Sequence, residues 1–107
     1  PRESTFFNTG IEVAIPDGYF GALAIRSSLA CKHGLMLANS LGIIDSCYRG
    51  PVKAKLVNIG RRPYTINPGD RIAQLLIIPC VHATFVQVDE LPESDRGTGG
   101  FGSTGAQ

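Results

Sequence analysis

Turn-forming residues recur along this chain so closely that few stretches between them are long enough for a helix. Pro16-Asp17-Gly18, Gly34, Gly50-Pro51, Gly60, Asn67-Pro68-Gly69 and Pro79 cut it into short apolar pieces. Short runs rich in Ile, Val and Leu between such residues read as strands, and the breaks read as tight turns. Many short strands with one helical turn describe a sandwich, a jelly roll or a small barrel. The 107 residues leave room for one domain with one modest core. A chain this short buries a small share of its surface, so its stability leans on partners.

Taken in order, residues 1–9 form a lead-in strand or arm. Residues 11–15 alternate apolar with polar or small side chains, the pattern of a half-buried strand. Across the turn at 16–18 they are expected to pair with 19–25 as a hairpin. Ser27 or Ser28 is positioned to cap a short helix toward Lys32, and Gly34 to end it. Residues 35–38 make a short strand. Residues 41–45 and 51–59 read as the arms of a second hairpin, with Asp45 and Tyr48 at its bend. Residues 64–66 form another short strand, 71–78 a buried one, and 80–88 alternate again. From Leu91 the composition turns to polar residues and glycine, which cannot build a core and are mobile when nothing is bound. The expected division is a β domain over 1–90 and a glycine-rich arm over 91–107.

Charge and composition exclude several roles. A formal charge of +1 gives no electrostatic basis for bulk binding to nucleic acid or a membrane surface. No apolar run approaches the ~20 residues that span a bilayer, and no secretory signal pattern opens the chain. Cys31, Cys47 and Cys80 are odd in number and lack CxxC spacing. They read as reduced thiols of an intracellular, cytoplasmic protein. His33 and His82 are isolated and lack metal-ligand spacing.

Five places carry chemistry, each with a plainer alternative. Arg26-Ser27-Ser28 offers a guanidinium fork and neutral donors suited to phosphate oxygens, or merely a helix cap. The Asn39 amide can read a base edge, or satisfy its own turn. Asp45 can polarise a water or cap the bend, and Tyr48 can lie against a flat or ring-shaped ligand. Gln74 interrupts an apolar run, and if buried it needs a partner such as a ligand oxygen. Residues 96–105 place Arg96, Phe101, Ser103 and Thr104 among glycines that let the backbone approach anionic oxygens. A plain linker has no use for that Arg and Phe.

The order and spacing are more specific than any single piece. Arg-Ser-Ser-Leu, then Asn, then Gly-Ile-Ile-Asp-Ser-x-Tyr-Arg-Gly, then Gly-Asp-Arg-Ile-Ala-Gln, then Arg-Gly-x-Gly-Gly-Phe-Gly-Ser-Thr-Gly closely resembles the homotrimeric dUTPases. The resemblance runs from about Thr9-Gly10 to the C-terminus. It implies an all-β fold, the distorted jelly roll or β-clip of that family with one short helix, assembled as a homotrimer with shared active sites. It implies hydrolysis of dUTP to dUMP and pyrophosphate with Mg2+ on the phosphates. Arg26, Ser27, Ser28 and Gln74 would hold phosphates. Asn39, Ile43, Ile44 and, less firmly, Lys53 would line the uracil and deoxyribose slot. Tyr48 would pack under the sugar and exclude a ribose 2′-OH, and Asp45 would orient the attacking water. Phe101 would stack on uracil while Arg96, Ser103 and Thr104 close on the phosphates.

One departure stands out. The family's first motif, an Ala-Gly-x-Asp-Leu type segment, is expected ahead of Phe7 and does not occur, so this chain supplies no metal-side residue. Cys47 stands where relatives carry Asp, Gly or another small residue. Two rival readings share the fold: a non-catalytic nucleotide-binding or regulatory module, and a dCTP deaminase. The second needs an extra glutamate near the base, and the Phe-containing tail argues against it.

Overall fold

The computed structural model describes residues 1–100. Six strands and one helix follow in the order β1 (Ser4–Glu12), β2 (Tyr19–Ile25), α1 (Ser27–His33), β3 (Leu35–Leu37), β4 (Gly42–Ile44), β5 (Pro51–Asn58) and β6 (Ala73–Pro79). They form two three-stranded sheets, β1-β5-β3 and β4-β2-β6, with every recorded pairing antiparallel. The jelly-roll expectation holds in its essentials: the fold is mostly β, with one short helix.

Alternation explains the core. Val52, Ala54, Leu56 and Asn58 of β5 face inward, while Lys53 points away from the core. From the second sheet come Leu23 and Ile44, joined by Leu37 of β3 and Ile15 of the β1–β2 connection. Leu37 is the most deeply buried large side chain, at 1% exposure. α1 lies over this body through Leu29.

Both expected hairpins are absent, and one cause accounts for both. β1 pairs with β5, while β2 pairs with β4 and β6. The chain therefore changes sheet at each of the two turns, at 16–18 and at 45–50. A turn signal reports a reversal of direction, but it does not report whether the two arms bond to each other or to strands from elsewhere. The first strand also starts earlier than the 11–15 alternation suggests. Its register slips between Asn8 and Glu12, where Gly10 has φ +74°.

Four further expectations fail locally. Residues 64–66 and 80–88 are not strands. β6 is not a buried strand either, since Gln74, Leu76 and Ile77 are exposed on its outer positions. The helix is capped differently from the serine reading. Arg26 is the N-cap, its carbonyl accepts from the Leu29 and Ala30 amides, and no side chain completes the cap. Gly34 ends the helix as expected, in the left-handed conformation at φ +69°.

Beyond β6 the chain leaves the body. The Cys80 amide donates to the Gly18 carbonyl at 2.8 Å, and among the described residues no later backbone bond returns to a sheet. The radius of gyration is 18.9 Å, against about 13 Å for a compact chain of 100 residues.

Candidate functional site

The β2–β6 register brings two of the sequence-picked pieces together. Ala24 pairs with Gln74 and Ile25 with Ala73, and the Arg26 amide donates to the Ile72 carbonyl at 3.3 Å. Arg26, Ser27, Ser28 and Gln74 therefore share one end of the β4-β2-β6 sheet. The Gln74 amide reaches the Ile25 carbonyl at a long 3.4 Å and is exposed. Gln74 is thus not a buried polar group in need of rescue, and its amide is open to solvent. Because no side chain caps α1, the exposed Ser27 and Ser28 hydroxyls are also not spent on the helix.

The corner between β4 and β5 carries the acid. Its bend is closed by backbone and arginine: the Tyr48 amide donates to the Asp45 carbonyl at 3.1 Å, and Arg49 Nη1 donates to the Ser46 carbonyl at 2.6 Å. The turn is thus built without the Asp45 carboxylate, which is exposed and accepts no hydrogen bond among the described residues. By contrast, Asp70 is spent on its own turn, its Oδ2 accepting from the Asn67 amide at 2.8 Å. This difference separates an available carboxylate from a structural one.

Tyr48 is held in one attitude. Its hydroxyl donates to the Pro51 carbonyl at 2.8 Å. A Cβ on Gly50 would stand 2.5 Å from that hydroxyl oxygen and 2.7 Å from Cζ, so only glycine lets the ring lie where it does. The sequence pattern names Tyr48 but gives no role to Gly50 or to the Pro51 carbonyl. A glycine between an aromatic and the first residue of a strand is the signal that points to them. Asn39 stands at the other end of β4, with its amide 3.7 Å from where a Gly42 Cβ would be. Ile44 is buried in the core, leaving only its backbone to face a ligand, while Ile43 is exposed.

These two groups are far apart within one chain. Ile44 pairs with Gly21, so Asp45 leaves β4 beside the Phe20 end of β2, while Arg26 follows the opposite end. At ~3.3 Å per residue, the stretch from Phe20 to Arg26 spans about 20 Å. Lys53, on the outer face of β5 opposite Asn8, joins neither group. Arg96 lies in a turn where the Gly99 amide donates to its carbonyl at 3.0 Å. Phe101, Ser103 and Thr104 lie outside the described residues.

The larger hollow, about 740 Å3, opens between the sheets over Leu23, Val52 and Leu75. Of the candidate residues, only Arg26 lines it. Among the described residues, no group of three or more His, Cys, Asp or Glu side chains could hold a metal ion. One chain therefore does not fit a protein-built Mg2+ cage. No helix among them is long and apolar enough to cross a membrane.

The chain as a whole is similar to known proteins. The dUTPase family profile matches residues 1–105. A deoxyuridine 5'-triphosphate nucleotidohydrolase of Leifsonia xyli subsp. xyli is 48% identical over 106 residues, covering 98% of this chain and 70% of that protein. The dUTPase of Staphylococcus bacteriophage 80alpha, solved with dUPNHPP, superposes with a TM-score of 0.85 at 31% identity, over 98% of this chain and 78% of that one. A mutant dUTPase of phage phi11 of S. aureus, whose structure concerns coordination of a structural Mg(II) ion, matches with a TM-score of 0.77 at 26% identity, over 87% and 76% of the two chains.

Proposed function

The chain belongs to the dUTPase family, and we infer from that premise that it hydrolyses dUTP to dUMP and pyrophosphate. The observation that carries the mechanism is the unspent Asp45 carboxylate on a corner that closes without it. In this reading Asp45 takes a proton from a water, the water attacks the α-phosphorus, and the bond to the β-phosphate oxygen breaks. Pyrophosphate leaves, and the proton stays on the carboxylate. General-base assistance of this kind contributes roughly 10²–10⁴ in rate. Arg26, Ser27, Ser28 and Gln74 bind phosphate oxygens, the guanidinium by its planar fork. Asn39 and the backbone at Ile43 and Ile44 read uracil, without Lys53, and the fixed Tyr48 ring leaves no room for a 2′-OH. When bound, Mg2+ would be held by the substrate's phosphate oxygens and would offset their negative charge.

The reading includes a homotrimer. About 20 Å of β2 separates the Asp45 corner from the Arg26 end, more than one triphosphate spans, so a complete site draws on more than one copy. Exposed apolar surface supports the same conclusion. Phe85 is 96% and Val81 92% exposed, with Leu76 and Ile77 uncovered on β6, and such surface marks an interface. Residues 91–107 act as the arm that closes over nucleotide, bringing Arg96, Ser103 and Thr104 to the phosphates and Phe101 to the base. Closure would exclude water and strengthen every charge contact inside. The free thiols Cys31, Cys47 and Cys80 suit a reducing, cytoplasmic setting.

The test is incubation with Mg2+ and dUTP, reading dUMP and pyrophosphate in equal amounts, alongside sedimentation of the same sample. Analogue binding without turnover would assign the chain to the non-catalytic module, and ammonia released from dCTP would assign it to the deaminases.

A further inference from the structure

A second, smaller hollow of about 400 Å3 shares no residue with the candidate site. The end of α1 contributes Lys32 and His33 to it, and the loop after β5 contributes Arg61, Arg62 and Tyr64. No carboxylate is among its lining residues. The chain as a whole carries only +1, so this gathering of cations is local.

The loop is held rigidly. Asn58 is buried at 8% exposure, and its side chain bonds at both ends: Nδ2 donates to the Arg62 carbonyl and Oδ1 accepts from the Gly60 amide, each at 2.8 Å. The Ile59 amide donates to the Gly34 carbonyl at 2.9 Å. Gly34 and Gly60 meet so closely that a Cβ on Gly34 would stand 2.8 Å from the Gly60 nitrogen. Tyr64 packs on His33 with ring centroids 4.3 Å apart. Basic residues at a helix C-terminus complement its dipole, which accounts for Lys32 and His33. It does not account for two arginines on a separate, fixed loop beside the same hollow. Like charges brought together repel unless an anion lies between them.

We propose that this pocket binds a small polyphosphate: free pyrophosphate or the phosphate tail of a nucleotide. Arginine forks match phosphate oxygens in paired hydrogen bonds, and the lysine adds a point charge. The volume lies near the lower end of the ~300–1,000 Å3 range of ligand pockets, which suits a diphosphate. Binding here does not depend on the dUTPase reading. Only the identification of pyrophosphate as the chain's own product does.

The test titrates the chain with sodium pyrophosphate, and separately with dUMP and dUPNHPP, following backbone amides by NMR at constant ionic strength. The expected result is saturable movement of the Gly34, Gly60, Arg61 and Arg62 amides with pyrophosphate. Movement with dUPNHPP but not dUMP would identify the nucleotide tail as a second source. Changing Arg61→Gln together with Arg62→Gln should weaken this binding about tenfold or more. Assembly and dUTP turnover should be unchanged, because neither residue belongs to the candidate site. Unmoved amides at 60–62, equal affinity in the double variant, or the same shifts from chloride alone would overturn the proposal. Saturable binding of a single-stranded oligonucleotide with none of pyrophosphate would overturn it in favour of a nucleic-acid surface.

Discussion

The corner at residues 45–51 and the stretch from Cys80 to Gly100 hold themselves in opposite ways. The corner is tied within its own few residues: Tyr48 to Asp45 through backbone, Arg49 to Ser46, and the Tyr48 hydroxyl to Pro51. The later stretch has its last recorded backbone bond to the body at Cys80, with Val81, Phe85, Val86 and Leu91 largely exposed. Local bonds position the catalytic candidates before any partner arrives. The exposed stretch has apolar surface that the other described residues leave uncovered. In the function proposed above, chemistry is placed by short-range structure and completeness of the site by association.

That contrast can be broken at either end. Deleting residues 81–107 should have the largest effect, abolishing both assembly and turnover, with sedimentation showing a smaller particle. Deleting only 96–107 should lower turnover while assembly persists, and a monomer from the shorter deletion would move the interface into the glycine-rich arm. Asp45→Asn should reduce turnover by roughly 10²–10⁴ while dUPNHPP still binds, since the corner closes without the carboxylate. Unchanged turnover would remove Asp45 from the mechanism.

Smaller effects probe how the corner is fixed. Gly50→Ala forces the Tyr48 ring to move and should cost about 1–3 kcal/mol, the usual penalty of overpacking, read by thermal unfolding. It should also narrow the preference for dUTP over UTP, measured as a ratio of kcat/KM. Tyr48→Phe removes only the bond to Pro51 and should cost about 1 kcal/mol, with less change in that ratio. If the two variants behaved alike, the hydroxyl rather than the ring's space would set the attitude of Tyr48.

Several elements were legible in advance because their causes are local. Gly34 ends α1 through its own φ, and Asp70 closes a turn with a residue three positions before it. The run at 51–59 was legible as a strand, and β5 occupies Pro51–Asn58. What misled were relations between distant residues. The apolar residues at 71–78 and 80–88 suggested burial, yet β6 leaves Leu76 and Ile77 uncovered and the later segment forms no strand. Apolarity reports that surface seeks cover, without saying that the same chain supplies it.

By itself the sequence determined a short-stranded β fold, one helix with its end, and the chemical pieces of the candidate site in their family order. Those follow from backbone preferences and side-chain chemistry within a few residues. Tertiary structure alone decided that both supposed hairpins divide between two sheets, that Arg26 and Gln74 come to the same end of one sheet, and that Asp45 stands at the opposite end of β2. Pairing partners are chosen by which arrangement buries the most apolar surface across the whole chain, and no local stretch carries that sum.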